Sequence, residues 1–176
     1  MPFEYSPGKP EDLFGKKARV LVAQMTYPDL VHFLLQHRTP EQAEEDLRDI
    51  ATRICKKLLE LWKPKATTVL KLIKELLGLI WGGDMTFKIV QRDDHKRPLL
   101  VKFIDKNCKL CQSGEEVLEV SGIHYCSAVS GFVEYLLNYT AQKGTMKLKY
   151  KSTDVRTTES KGSGGTQCIH FCTFTY

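Results

Sequence analysis

Cysteine is the residue type whose number and spacing point to chemistry in this chain. Five of the six cysteines fall in its second half, as Cys108 with Cys111, then Cys126, then Cys168 with Cys172. Thiols gathered by folding in a reducing compartment bind a soft divalent metal more readily than they form bridges. Cys108 and Cys111 make a C-x-x-C knuckle, a spacing that lets two thiolates converge on one ion at about 2.3 Å. Cys126 stands where a helix is expected to open, and there the backbone N–H groups favour thiolate over thiol. Cys168 and Cys172 share one face of an expected terminal strand, but at ~3.3 Å per residue they lie about 13 Å apart. One ion therefore takes only one of them unless the strand bulges. The economical set is Cys108, Cys111, Cys126 and one terminal thiol, around zinc.

Two other readings of these residues stand beside a structural metal. Free cysteine is often a small buried hydrophobe, and thiols also serve redox or acylation chemistry. Thioredoxin-like exchange is disfavoured, because Cys108 and Cys111 lead into the polar stretch Gln112 to Glu116 where that chemistry wants a helix. Cys55 lies beside an apolar helix stripe and reads as packing. His124 and His170 are near the cysteine groups and offer nitrogen donors, although a core or surface role suits each. Glu159 is the acid opposite the terminal thiols. His32, His37 and His95 have no visible partners. No Ser/His/Asp elbow, phosphate-cradling glycine loop or paired carboxylates are present, so the chain is not expected to be an enzyme.

Helices dominate the first half. Thr26 and Pro28 open one whose apolar face is Leu30, Val31, Leu34 and Leu35. Thr39-Pro40-Glu41-Gln42 places a cap hydroxyl three residues before an amide, with proline where its missing N–H costs nothing. The helix it opens should run to about Trp62, burying Leu47, Ile50, Ala51, Ile54, Leu58 and Leu61 and leaving Arg48 outside. A third helix, from Thr67 or Thr68 to Ile80, should bury Val69, Leu72, Ile73, Leu76, Leu77 and Ile80 and end at Gly82 and Gly83. The period then changes. Met85 to Gln91 and Leu99 to Ile104 read as strands around a turn at Asp93, Asp94 and His95. Tyr125 to Tyr139 returns to helical spacing, with Val129, Phe132, Val133, Leu136 and Leu137 inward. Met146, Leu148 and Tyr150 alternate with Lys147, Lys149 and Lys151, as in a half-buried strand. Thr153 to Ser160 and Gln167 to Tyr176 read as arms of a hairpin around the glycines of Lys161 to Thr166. The order implies one α+β domain, N-terminal helices packed on an antiparallel sheet.

Whole-chain properties agree. The 176 residues suit one domain over 18–176 behind a flexible arm over 1–17, which holds Pro2, Pro7, Gly8 and Pro10. No apolar run reaches the roughly 18 residues that would span a bilayer, and no signal-peptide pattern opens the chain, so a cytoplasmic protein is expected. The net charge of +5 is diffuse and explained by solubility. Nucleic acid is not the expected partner, since Lys147, Lys149 and Lys151 lack interleaved aromatics for stacking.

The chain resembles the superfamily that joins the vinyl-reductase-type small-molecule-binding domain to the Bet-three-like subunits of the transport protein particle, TRAPP. The second half carries the resemblance in Asn107-Cys108, Cys126 with Gly131, Glu159, and Cys172-Thr173-Phe174-Thr175-Tyr176, over a match spanning roughly residues 26 to 176. In the first half, Thr26-Tyr27 leading into Leu30 and Val31, the Leu47 to Leu61 helix, and the Val69 to Ile80 helix before Gly83-Asp84 resemble the transport-particle branch. The vinyl-reductase branch implies zinc held by residues matching Cys126, Glu159 and Cys172. A further hairpin cysteine of that branch falls at Gly162 here, with Cys168 displaced, so Cys108 or Cys111 completes the set. Taken with the C-x-x-C spacing, the expected ligands are Cys108, Cys111, Cys126 and Cys172, with Cys168 and Glu159 as alternates.

The resemblance implies a binding and assembly function. Its transport-particle branch implies an archaeal-type scaffold subunit that pairs through its helices with its own copy or a sister subunit, contacts a small GTPase, and works peripherally at membranes. The vinyl-reductase branch implies a sensor of a small aromatic or apolar ligand. Either way an apolar cavity is expected, with Leu72, Leu76, Ile80, Phe103, Val129, Phe132 and Val133 as its lining. The acylated cysteine of some transport-particle subunits would fall on the Thr67 to Ile80 helix, which contains none.

Overall fold

A computed structural model of the chain describes residues 26–80, 85–106, 108, 110, 112–113, 116–117 and 122–176. The expected arm, Gly82, Gly83, Asp84, Asn107 and Cys111 lie outside the described residues. Among the described residues three helices, α1 over 26–37, α2 (Pro40–Leu61) and α3 (Val69–Ile80), precede the first strands, and a fourth, α4 (Ser127–Gln142), follows them. The strands are β1 (Met85–Arg92), β2 (Pro98–Asp105), the two-residue pair β3 (Gln112–Ser113) and β4 (Glu116–Val117), β5 (Ser152–Glu159) and β6 (Cys168–Thr175). The main sheet has the order β1-β2-β6-β5 and is antiparallel throughout.

The start of α2 is written in its residues. The Thr39 hydroxyl accepts the Gln42 N–H at 3.3 Å, and the Gln42 side chain accepts the Thr39 N–H at 3.1 Å. This reciprocal cap satisfies two N–H groups that a helix start leaves open. The buried line of α2 is Ala43, Leu47, Ala51, Cys55 and Leu59, a ridge of fourfold spacing. It differs from the expected stripe. Ile54 is 52% exposed and Leu61 90% exposed. Both lines are apolar in sequence, and α4 packs against only one of them.

Glycine decides that choice. A Cβ on Gly131 would sit 2.4 Å from the Arg48 carbonyl oxygen, so α4 and α2 touch backbone to backbone at this point. That approach also buries Arg48, which was expected outside and is 7% exposed. Its Nη2 donates to Glu134 Oε2 at 2.8 Å and its Nη1 to the Val155 carbonyl, while the same Glu134 oxygen accepts the Val155 N–H at 2.8 Å. Asn138 exchanges two hydrogen bonds with the Thr153 backbone, at 2.8 and 2.9 Å. Side chains of α2 and α4 thus seal the β5 edge, where unpaired backbone groups would otherwise invite another strand.

α4 is the centre of the molecule, with Ser127 to Val133, Leu136, Leu137 and Thr140 buried. Leu72, Ile73, Leu76 and Leu77 of α3 and Val101, Phe103, Cys172 and Phe174 of the sheet complete the core around it. One expected strand is absent. Met146, Leu148 and Tyr150 do point inward, but the Lys147 N–H goes to Thr67 O at 2.9 Å and the Lys151 N–H to Thr175 O at 2.7 Å. The alternation is real, yet no strand lies alongside to make a ladder, and pairing begins at Ser152.

Candidate metal centre

Three element ends converge on one point. Cys108 lies just beyond the end of β2, Cys126 occupies the position before the first turn of α4, and Cys168 opens β6. Register explains Cys168. It stands opposite Asp105, the last residue of β2, so the start of β6 and the exit from β2 are adjacent. Cys126 is fixed by its backbone: its carbonyl accepts the Val129 N–H at 2.9 Å and the Thr157 hydroxyl at 3.3 Å.

The three sulfurs all lie within 4.8 Å of one another and all three residues are fully buried. Cys108 Sγ is 3.6 Å from Cys126 Sγ, and Cys126 Sγ is 2.9 Å from Cys168 Sγ. Thiolates on a tetrahedral zinc with bonds of about 2.3 Å lie about 3.8 Å apart. Small side-chain adjustments bring these three to that spacing. Three buried cysteines this close together suit a metal ion, because bare thiolates in an apolar interior are costly and a cation compensates them.

The terminal thiol that reaches this group is Cys168. Cys172 does not belong to it; one strand face carries both, but four residues of rise place Cys172 opposite Val101 and Val155, deep in the core. Burial, reinforced by Glu134 and Asp154, holds the Cys172 thiol above its ordinary pKa, which keeps it neutral. Glu159 is also elsewhere. Its Oε1 accepts the Thr166 N–H at 3.0 Å and the Gln167 N–H at 3.3 Å, closing the β5–β6 turn. Cys111 lies outside the described residues. Cys55 is fully buried on α2, where desolvation pushes its thiol up to about 12.

Polar groups flank the thiols, and His170 is the one among them that the sequence singled out as a nitrogen donor. His170 is fully buried and stacked on Phe103 at 4.5 Å, and its Nδ1 meets the Thr157 hydroxyl at 3.0 Å and the Ser130 hydroxyl at 3.3 Å. Burial, with a smaller contribution from His124, lowers its pKa to about 3, so the ring is neutral. On the other side Tyr27 of α1 donates to Tyr125 O at 2.6 Å. Burial raises the Tyr27 pKa well above the usual phenol value, and neighbouring Cys126 and Cys108 add to it. A pattern search that finds His170 still misses its partners, because Ser130, Thr157 and His170 are brought together by three separate elements.

The residues expected to line a cavity are in the core. Leu72, Leu76, Phe103, Val129 and Val133 are fully buried, Phe132 is 8% exposed, and Ile80 is half-buried. A separate cleft of about 170 Å³ opens between α2 and α4, lined by Thr52, Glu134, Tyr135, Asn138, Tyr139 and Gln142. Among the described residues no helix is long and apolar enough to cross a membrane.

No protein-family model matches the chain, and no curated protein matches it significantly. Among solved structures it is similar to a trafficking protein particle complex subunit 3 from Naegleria fowleri, covalently bound to palmitic acid in its crystal. The TM-score is 0.66 at 11% identity, covering 91% of this chain and 97% of that one. A likeness this long at so low an identity establishes the fold: the chain has the α+β architecture of a Bet-three-like trafficking-particle subunit.

Proposed function

We propose that this chain is a non-enzymatic assembly module, a scaffold subunit of the trafficking-particle type whose helical layer pairs with a second chain of the same fold. The observation that carries this reading is the bare apolar line on α2. Ile54 and Leu61 are 52% and 90% exposed, with half-buried Ile50 one turn before Ile54 on the same face and Leu58, between them, half-buried against the core. Leu70 and Leu79 of α3 add exposed apolar surface, at 38% and 40%. Apolar residues at repeated spacing on one helix face mark an interaction surface more than scattered exposed leucines do. The fold likeness supports the reading, since it extends over nearly the whole of a complex subunit.

The second half supplies rigidity on this reading. Cys108, Cys126 and Cys168 hold one zinc, with Cys111 of the C-x-x-C knuckle as fourth ligand, and the ion ties the terminal hairpin to the mouth of α4. Zinc there has a structural role only, because a closed thiolate site leaves no position for substrate. The apolar interior around Leu72, Leu76, Ile80, Phe103, Val129, Phe132 and Val133 takes a small apolar ligand or acyl chain without a covalent bond, as α3 carries no cysteine. A small GTPase and the cytoplasmic face of a membrane are the partners that such a scaffold would bring together.

Light scattering of the purified chain tests the reading. A dimer that becomes a monomer in the Ile54→Glu, Leu61→Glu double variant, with unchanged circular dichroism, supports it. A wild-type chain that is monomeric and captures no sister subunit overturns it. Elemental analysis tests the metal separately, with about one zinc per chain expected.

A further inference from the structure

Five fully buried cysteines are found among the described residues, and they are not equivalent. Cys55 and Cys172 have no place in a sulfur group, whereas Cys108, Cys126 and Cys168 meet. Within that trio the spacing is unequal. The 3.6 Å between Cys108 and Cys126 is close to the separation of two thiolates sharing a zinc. The 2.9 Å between Cys126 and Cys168 is much shorter. Closing it to the disulfide length of about 2.05 Å needs less than ~1 Å of further approach between the sulfurs. The backbones holding the pair are well anchored. The Thr157 hydroxyl of β5 bonds the Cys126 carbonyl at 3.3 Å, and Thr157 faces His170 of β6, two residues beyond Cys168.

We propose that Cys126 and Cys168 form a dithiol pair oxidisable by peroxide, whose closure removes two thiolates from the metal site and leaves Cys108 outside the new bond. One thiolate of the pair attacks the peroxide O–O bond, forming a sulfenic acid and releasing hydroxide. The second thiolate attacks that sulfenic sulfur, forming the S–S bond and releasing a second hydroxide. Two electrons pass from the two sulfurs to the peroxide, and each hydroxide takes up a proton to become water. A zinc ion held by the trio would lose two of its thiolates by this step. The direction of the consequence follows from which sulfurs pair: α4 and β6 stay joined, now covalently, while Cys108 loses its sulfur contact with both and its segment is held by the β2–β6 pairing. A dithiol reductant reverses the step by thiol–disulfide exchange, becoming a disulfide itself. The zinc-release arm rests on the metal reading above, but the pairing does not.

The test treats the full chain with stoichiometric hydrogen peroxide, follows released zinc with a chromogenic chelator, then alkylates, digests and maps disulfides by mass spectrometry. The expected result is a Cys126–Cys168 linked peptide, zinc falling from about one per chain to near zero in step with it, and Cys108 newly alkylated. Dithiothreitol should restore all three. Cys172→Ser should leave the linked peptide unchanged and Cys168→Ser should abolish it; wild-type mapping decides even if that variant folds poorly. Zinc present at the outset with a link at Cys108, or with sulfinic acids and no link, overturns the proposal and leaves the metal reading standing. A chain without zinc that still forms the Cys126–Cys168 link supports the pair and sinks the metal reading.

Discussion

The two sides of α2 invert the usual expectation about helices. Toward α4 and β5 it buries a cation, Arg48, and away from them it leaves Ile54 and Leu61 in water. The inner side is affordable because every charge there has a partner: Arg48 meets Glu134, and Glu134 in turn accepts the Val155 N–H. Among the described residues the outer side has no such compensation. The difference teaches that burial follows what packs against a residue, and that an apolar helix line left bare is a surface suited to another chain. The inner seam fixes the fold, and the outer line is the surface on which the proposed pairing rests.

The comparison breaks most easily at the seam. Arg48→Ala strands the Glu134 carboxylate and an edge carbonyl of β5, so denaturant unfolding should show a loss of about 3 kcal/mol. A loss below ~1 kcal/mol would mean that the seam is ornamental. Gly131→Ala tests the approach that creates the seam. Its methyl would press on the Arg48 backbone, which cannot swing aside as a side chain does, and a cost of about 1–3 kcal/mol is expected by the same measurement.

His170 extends the contrast to pH. Its folded pKa is about 3 against an unfolded value near 6.5, so between those pH values the unfolded chain binds a proton that the folded chain does not. Stability therefore rises with pH across that window and falls as the pH drops below about 6.5, costing about 2 kcal/mol by pH 5. His170→Gln should remove this component of the pH slope. A slope unchanged in the variant would assign it elsewhere. The smallest stability effect belongs to the outer side. Ile54→Glu should change monomer stability by under about 0.5 kcal/mol while weakening self-association in sedimentation velocity, and a large loss of stability would show that Ile54 is packed after all.

Much of the fold was legible locally. The capping box at Thr39, the fourfold and threefold spacing in α3, the turn at Asp93 and the glycines between Lys161 and Thr166 each carry their meaning within a few residues. The Lys147 to Lys151 segment shows where such reading fails: alternation reports an extended chain with one wet face, but a strand also needs a neighbour, which lies far away in sequence. The same limit applies to the thiols. Residue types and spacing suggested that Cys108, Cys111 and Cys126 would share a site with one terminal cysteine, and of these Cys111 lies outside the described residues. Resemblance favoured Cys172, and the β2–β6 register instead brings Cys168 beside the exit of β2.

The sequence by itself determined the kinds of element, their order and the thiol chemistry available, because caps, periodicities and turn residues act through neighbours one to four positions away. Tertiary structure alone decided which apolar line of α2 is covered, where Arg48 goes, and which sulfurs meet. Those outcomes depend on a backbone contact at Gly131 and on strand register, and both join residues separated by dozens of positions that no local preference can couple.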